Sequence, residues 1–136
     1  MEIVPQFRIG EAATLLGVSD DTVRRWVDAG RLQAGRDPQG RLAIEGRDLA
    51  AFAQQIAAAP ELGRTVPESA RNRFTGLVTR VVKDGVMAQV DLQVGPFRVV
   101  SLMSREAADE LGLEPGVLAV ASVKSTQVVV EVPEAR

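Results

Sequence analysis

Apolar residues along this 136-residue chain change their spacing near its middle. Up to about residue 59 they follow helical spacing, and after residue 68 they occupy every second position, most clearly from Val86 to Val94. The residues assigned to inner helical faces are Ala12, Leu15 and Leu16, then Val23, Trp26 and Val27, then Leu49, Phe52 and Ile56. The pattern predicts an α+β chain of two domains, residues 1–59 and 68–136, joined by a linker at 60–67 that contains proline and glycine.

Turn signals organise the first domain. Gly17 ends the first helix, and Ser19 is a good N-cap for the second. A strong turn sequence, Asp37-Pro38-Gln39-Gly40, lies between Arg36 and Arg41. Two helices joined by a short turn and followed by a small hairpin predict a winged helix-turn-helix domain.

The second domain reads as short strands separated by glycine- and proline-containing turns. A short helix, capped by Ser104 and ended by Gly112, falls between the third strand and the fourth. The predicted strands are Arg73–Lys83, Val86–Val94, Phe97–Leu102, Val117–Val123 and Gln127–Val132. This order predicts a five-stranded OB-like β-barrel with a short helix.

Composition limits the chemistry that the chain can perform. It contains no cysteine and no histidine, so thiol chemistry, zinc sites of the usual kind and histidine acid–base catalysis are excluded. No nucleophile–base pair or phosphate loop is recognisable, and an enzyme is not expected. Neither half is basic, so DNA contact would depend on local placement of arginines. No apolar run is long enough for a membrane span and no signal peptide is recognisable, which predicts a cytoplasmic protein.

Two segments at the ends of the second domain contain the types of group that bind a small dianion. Ser69-Ala70-Arg71-Asn72 and Lys124-Ser125-Thr126 each place one cation beside hydroxyl and backbone N–H groups. The alternative is that both are solvated strand ends. Their positions, at the start of the first strand and before the last, favour a shared role.

Residues 7–57 resemble the excisionase and MerR-type winged-helix family. The matching residues are Ala12-Ala13, Leu15-Leu16-Gly17-Val18-Ser19, Thr22-Val23-Arg24-Arg25-Trp26, Gly30-Arg31-Leu32, and Asp48-Leu49 with Ala51-Phe52. The resemblance implies that the second helix enters the major groove of DNA while the wing contacts the backbone. It assigns Thr22, Arg24 and Arg25 to the DNA-facing surface, with Arg31, Arg36 or Arg41 on phosphates.

Residues 68–132 resemble the molbindin (Mop-type, TOBE) family. The matching residues are Ser69-Ala70-Arg71-Asn72, Gly76 with Val78, Ala88 with Val90, Leu111-Gly112-Leu113 with Pro115-Gly116, and Val123-Lys124-Ser125-Thr126 with Val128. The resemblance implies that molybdate or tungstate is bound at subunit interfaces, with Ser69, Ala70, Arg71, Ser104, Lys124 and Ser125 as ligands. The chain departs from the family at Ala107, where many members carry a further hydroxyl.

Together the two resemblances imply a molybdate- or tungstate-responsive transcription regulator that binds an operator. The expected assembly is a homo-oligomer, a dimer or a hexamer, formed through the barrel. One alternative is an oxoanion storage protein whose helical domain does not bind DNA. Another is a DNA-binding architectural protein with a ligand-free barrel, which leaves the segments around Arg71 and Lys124 without a role.

Overall fold

The computed structural model describes residues 5–58 and 69–134. The chain divides into two compact units, residues 1–59 and 60–136. The predicted linker, residues 60–67, lies outside the described residues. The two units are described separately below.

The N-terminal unit is a winged helix-turn-helix. Its elements are β1 (Gln6–Arg8), α1 (Ile9–Leu16), α2 (Asp20–Asp28), β2 (Gly35–Arg36), β3 (Leu42–Glu45) and α3 (Gly46–Ile56). The strands form a small antiparallel sheet in the order β1-β3-β2. Gly17 adopts a left-handed conformation at the C-cap of α1, with φ of 71°. The Ser19 hydroxyl then accepts a hydrogen bond from the Thr22 N–H and caps α2.

One apolar cluster holds the three helices and the sheet together. Its buried members are Ile9, Ala12, Ala13, Val23, Leu32, Ile44, Leu49 and Phe52. Trp26 packs against this cluster, with its ring centroid 4.9 Å from that of Phe52 in an edge-to-face arrangement. The assignment of Trp26 to the core is confirmed. Leu15 instead points away from the cluster and is exposed, because the inner face of α1 is formed by Ile9, Ala12, Ala13 and Leu16.

The C-terminal unit is a curled antiparallel sheet with a short helix at one end. Its elements are β4 (Asn72–Lys83), β5 (Met87–Val94), β6 (Phe97–Ser104), α4 (Arg105–Glu110), β7 (Leu118–Val123) and a 3₁₀ turn at Ser125–Gln127. The strand order is β6-β5-β4-β7, with every neighbouring pair antiparallel. β6 and β7 are therefore the two edges of an open half-barrel.

The inner face of this sheet forms a second core. Val78, Val90 and Leu92 are buried there, and Val99, Met103, Leu113 and Ala119 pack against them. The period-two pattern predicted this inner face of β5 correctly. On the opposite face, Asp91 is also buried, because the side chains of Arg98 and Gln89 lie against it and satisfy its carboxylate.

The predicted class, α+β with two domains, is confirmed, but the structure differs from the expected barrel in one respect. Residues 127–132, predicted as the fifth strand, form no strand in the described chain: Gln127 ends the 3₁₀ turn, and residues 128–132 have no regular structure. Their valines are exposed, Val129 and Val130 to more than 80%. A strand requires a hydrogen-bonding neighbour, and this segment has none within the described part of its own chain. The barrel is consequently open between β6 and β7.

Across residues 5–58 and 69–134, no helix combines the length and the apolar character that crossing a membrane requires.

Candidate functional site

The register of β4 and β7 brings the two candidate anion segments to the same end of the sheet. Asn72 is paired with Val123 at the end of this ladder. Arg71 directly precedes Asn72, and Lys124 directly follows Val123. In an antiparallel pair, the residues just beyond a terminal pair are neighbours. The segments 69–71 and 124–125 therefore flank the same point of the molecule.

The side chain of Asn72 reinforces this juxtaposition. Its Nδ2 donates a hydrogen bond to the backbone oxygen of Val123 at 3.2 Å. The 3₁₀ turn then begins immediately after Lys124, whose carbonyl accepts the Gln127 N–H at 2.8 Å. The role of Asn72 was not assigned from the sequence, although it completes the Ser-Ala-Arg-Asn stretch that the sequence singled out.

The groups needed by an oxoanion are accessible at this end of the sheet. Ser69, Arg71, Lys124 and Ser125 are exposed, and Ala70 is half-buried. Within the described ranges, the side chains of these residues make no hydrogen bond or ion pair, so their donors are available to a ligand. Two cations placed beside each other also create a local positive potential that favours a dianion.

Within a single chain, Ser104 lies far from the other candidate anion residues. It is paired with Met87, next to the Ala88–Lys83 pair, at the opposite end of β4 from Asn72. At strand spacing, β4 separates the two ends by roughly 35 Å. The Ser104 hydroxyl accepts the Ala107 N–H at 3.0 Å and caps α4, which leaves its own proton free to donate.

A network of charged groups fixes α4 to the β4–β5 hairpin beside Ser104. Lys83 Nζ contacts Asp109 Oδ1 at 2.5 Å, and Arg105 donates to the backbone oxygen of Asp84. The hydrogen bond from Lys83 lowers the pKa of Asp109. Backbone N–H groups of Met87 and Val86 lower the pKa of Asp84 in the same hairpin.

The candidate DNA-facing residues lie on α2, in the loop that follows it, and in the wing, which is the hairpin formed by β2 and β3. Arg24 and Arg25 are exposed on α2, and Thr22 is half-buried beside them. Arg25 donates from its guanidinium to the Thr22 hydroxyl at 3.2 Å. Arg24 makes no hydrogen bond or ion pair with the part of the chain that the structure describes.

The other three arginines differ in how firmly they are held. The Arg31 guanidinium lies over the rings of Trp26 and Phe52, at 6.0 and 5.7 Å from their centroids. Arg36 donates to the carbonyl of Gly40 across the wing turn at 3.2 Å. Arg41 uses only its backbone in that turn: its N–H donates to the Asp37 carboxylate, and its carbonyl accepts the Asp37 N–H. All three side chains are exposed, so the wing and the loop between α2 and β2 present positive charge.

One groove of the C-terminal unit is lined mainly by apolar residues and by none of the candidate anion residues. It has a volume of about 490 Å³ and lies between the β6 and β7 edges. Its walls include Val90, Leu92, Val99, Met103 and Leu113, together with residues 117–123. This groove is the opening left where a further strand would close the barrel.

The two units together define a chain in which a helix-turn-helix domain precedes an OB-like half-barrel. Comparison with protein families gives the same division. Residues 7–57 match the helix-turn-helix domain model, and residues 68–130 match the TOBE domain model.

Curated relatives align with the second domain. Molybdenum-pterin-binding protein 2 of Clostridium pasteurianum is 38% identical over 63 residues, which are 46% of this chain and 93% of that protein. Molybdenum-pterin-binding protein 1 of the same organism is 35% identical over 63 residues, with the same coverage. The chain thus belongs to the TOBE (molbindin) family through this domain, which is joined to a helix-turn-helix domain. Both resemblances recognised in the sequence are confirmed.

Solved structures of molybdate-binding proteins are similar to about half of this chain. A molybdate-binding protein from Sporomusa ovata is 29% identical, covers 48% of this chain and 98% of its own, and has a TM-score of 0.47. The cytoplasmic molybdate-binding protein ModG, solved with molybdate bound, is 38% identical, covers 50% of this chain and 49% of its own, and has a TM-score of 0.48.

Proposed function

We propose that this protein is a molybdate- or tungstate-responsive transcription regulator. The C-terminal half-barrel binds the oxoanion, and the N-terminal winged helix binds operator DNA. The observation that carries the proposal is the β4–β7 ladder, which aligns the Arg71 and Lys124 segments at one end of the sheet. The names of the curated relatives, which are molybdenum-pterin-binding proteins, support the choice of anion.

The anion site combines fixed charge with directional donors. Arg71 supplies a planar fork of N–H groups, and Lys124 supplies a compact ammonium group. The hydroxyls of Ser69 and Ser125 and the backbone at Ala70 complete this half of the site. In the absence of ligand the two cations repel each other, and a dianion between them relieves that repulsion.

The site is completed by a second copy of the chain. Ser104 lies at the far end of β4, so it cannot reach an anion held by Arg71 and Lys124 of its own chain. A neighbouring copy can bring its Ser104 to that anion. This arrangement agrees with the expectation, drawn from the family resemblance, that the oxoanion is bound between subunits.

The open half-barrel supports the same homo-oligomer. Within residues 5–58 and 69–134, β6 and β7 each leave one edge unpaired beside the 490 Å³ groove, and the valines of residues 128–132 are exposed. An apolar segment with β-branched residues is suited to pair with such an edge. We assign it as the fifth strand of a neighbouring copy, which buries both apolar surfaces and closes each barrel.

The helix-turn-helix domain supports the DNA-binding half of the proposal. Its α2 presents Arg24 and Arg25 to solvent, and its wing presents Arg36 and Arg41. A symmetric oligomer places at least two such domains in one assembly, which suits an operator with repeated half-sites.

The experiment measures both ligands on the purified full chain. Calorimetric titration with molybdate, tungstate and sulfate gives the anion affinity, and sulfate is expected to bind poorly because it is smaller. Retention of duplexes from a randomised DNA library, with and without molybdate, gives DNA binding. Linkage requires that molybdate and DNA change each other's affinity by the same factor.

Each outcome of this experiment separates the candidate functions. Reciprocal coupling between molybdate and DNA supports the regulator. Molybdate binding without DNA retention supports the storage protein and overturns the regulator. Binding of neither molybdate nor tungstate overturns both.

A further inference from the structure

Three hydrogen bonds link Ser19, Thr22 and Arg25 along the exposed side of α2. The Thr22 N–H donates to Ser19 Oγ at 3.2 Å, and the two hydroxyl oxygens are 2.9 Å apart. Arg25 Nη2 then donates to Thr22 Oγ1 at 3.2 Å. The hydroxyl of Thr22 thus connects the cap of the helix to a guanidinium one turn later.

Thr22 is a firm anchor for this connection. Its β-branched side chain is limited to two main χ1 rotamers in a helix, and it is half-buried. Its hydroxyl is also held from the other side by Ser19, whose position is fixed by the capping bond. The atom to which Arg25 is bonded therefore has little freedom of its own.

The neighbouring arginine, Arg24, is not held in this way. Arg24 is exposed, and its side chain has no hydrogen-bond or ion-pair partner among the residues that the structure describes. The two arginines carry the same charge on the same helix, but only one of them has an internal partner. The side chain of Arg25 is therefore more ordered than that of Arg24.

Order matters because the two kinds of DNA contact have different requirements. A bidentate bond to a guanine edge needs a guanidinium with a defined plane and position, and it is weakened by the entropy lost when a mobile side chain is fixed. A phosphate contact needs only charge within reach and tolerates a mobile side chain. The bond to Thr22 occupies one of the five N–H groups of Arg25 and leaves the others for a base.

We propose that Thr22 is a positioning residue that orders Arg25 for reading base edges. Arg25 then carries sequence discrimination, and Arg24 contributes charge to phosphate binding. The inference rests on the proposed DNA-binding function, and it assigns different roles to three residues that the sequence grouped as one surface.

The test is a double-mutant cycle on the full chain, using a duplex that the parent selects from a randomised library. The variants are Thr22→Val, which removes the hydroxyl with little change of shape, Arg25→Ala, and the two together. Thr22→Val should weaken binding about 5- to 10-fold, the loss expected for one ordinary solvent-exposed hydrogen bond. In the Arg25→Ala background it should change binding less than about twofold, because Thr22 acts through Arg25.

Discrimination between sequences provides the second readout. Thr22→Val and Arg25→Ala should both reduce the preference for the selected duplex over single-base variants at the same position. Arg24→Ala should weaken binding to all these duplexes alike and reduce the salt slope by about one. Thr22→Ser, which keeps the hydroxyl, should restore discrimination.

Two controls separate positioning from loss of fold. Thr14→Val removes a similar exposed hydroxyl, bonded to the Gly10 carbonyl in α1, and should leave DNA binding unchanged. Thermal unfolding of every variant should be cooperative and close to that of the parent. The capping bond from the Thr22 N–H to Ser19 is retained in Thr22→Val, so α2 should remain formed.

The outcomes distinguish this inference from the function on which it rests. Multiplicative losses from Thr22→Val and Arg25→Ala would mean that Thr22 contacts DNA itself, and the inference would be wrong while DNA binding stood. Equal loss of discrimination in Arg24→Ala would also overturn it. A parent chain that retains no duplex would overturn the DNA-binding proposal together with the inference.

Discussion

Asn72 donates a hydrogen bond from its side-chain amide to the backbone oxygen of Val123, at 3.2 Å, across the end of the β4–β7 ladder. The bond lies between the two segments that we assign to the anion. It fixes the spacing of Arg71 and Lys124 without using any of their donors. Asn72 is therefore expected to influence ligand affinity although it is not itself proposed as a ligand.

Replacing Asn72 with alanine should lower molybdate affinity about 5- to 10-fold, through loss of one hydrogen bond that holds the site together. Calorimetric titration measures the change. Gln93→Ala is the matched control, since it removes a side-chain amide bonded to a backbone oxygen, that of Gly95, elsewhere in the same sheet. Equal affinities for the parent and Asn72→Ala would show that the ladder alone sets the spacing.

Lys124→Ala should remove most of the rise in melting temperature that molybdate produces in the parent. The rise follows from binding to the native state, and the substitution removes one of the two cations. It should also leave the unliganded protein equally stable or more stable, because the repulsion with Arg71 is lost. If both segments are only solvated strand ends, the substitution would change stability by less than about half a kcal/mol and affect nothing else.

Two further substitutions refine this test. Arg71→Lys should bind molybdate poorly, because a point charge replaces a planar fork of donors. Ala107→Ser restores the hydroxyl common in the family and should tighten binding if this half-buried position lines the completed site. An unchanged affinity in Ala107→Ser would place Ala107 outside the site.

The sequence predicted the helix-turn-helix closely, because its signals are local. Gly17 needs its left-handed conformation, Ser19 caps the next helix, and the spacing of Val23 and Trp26 defines the buried face. Each of these acts within one or two turns of helix. The order of α2 side chains, by contrast, depends on rotamers, and the link between Thr22 and Arg25 could not be read from spacing alone.

The sequence was less informative for the half-barrel. The alternating valines of residues 128–132 predict a strand, but the pattern does not say which chain supplies its neighbour. Likewise, only the register of β4 with β7 shows that Arg71 and Lys124 lie together. The burial of Asp91 was not predicted either, since alternation marks it as an outward-facing polar residue.

Gly76 has a steric role that explains its place in the TOBE motif. A Cβ at this position would overlap the backbone oxygen of Gln93 and would lie 2.8 Å from Cγ2 of Val94. Gly76→Ala should therefore lower the free energy of unfolding by about 1–3 kcal/mol, as overpacking in a core does. Denaturant unfolding measures it. Gly85→Ala, where a Cβ meets nothing within 4 Å, is the control and should be close to neutral.

The C-terminal unit should lose stability as the pH falls below about 4, the ordinary range of aspartate. The pKa values of Asp84, Asp91 and Asp109 are lowered in the folded state, Asp91 first by the Gln89 amide and then by Arg98. Groups with lowered pKa stabilise the folded state above their unfolded pKa. This contribution disappears as the pH falls through the folded value.

Thermal unfolding between pH 7 and pH 3 tests this sign. Asp109→Asn should be less stable than the parent at pH 7, because it loses the charged contact with Lys83. The difference between the two proteins should shrink as the pH falls towards the lowered folded pKa of Asp109, because the parent carboxylate then also loses its charge. A constant difference across the range would show that Asp109 acts through shape rather than charge.

The proposed fifth strand predicts that residues 128–132 control assembly. Adjacent residues in a strand point to opposite faces, so one of Val129 and Val130 must face the neighbour's groove whichever way the strand is turned. Replacing both with lysine therefore places a charge against the apolar surface between β6 and β7. Light scattering should show an oligomer for the parent and a monomer for the double variant at micromolar concentration.

Val86→Lys is the control for a charge introduced at an exposed valine, since Val86 is 73% exposed in the β4–β5 hairpin. It should leave the molar mass unchanged. The monomeric double variant should also bind molybdate more weakly, because the Ser104 of a second copy is no longer supplied to the site. An unchanged mass in the double variant would mean that assembly uses another surface. A monomeric parent would mean that each chain binds its anion alone, with Arg71 and Lys124 but without Ser104.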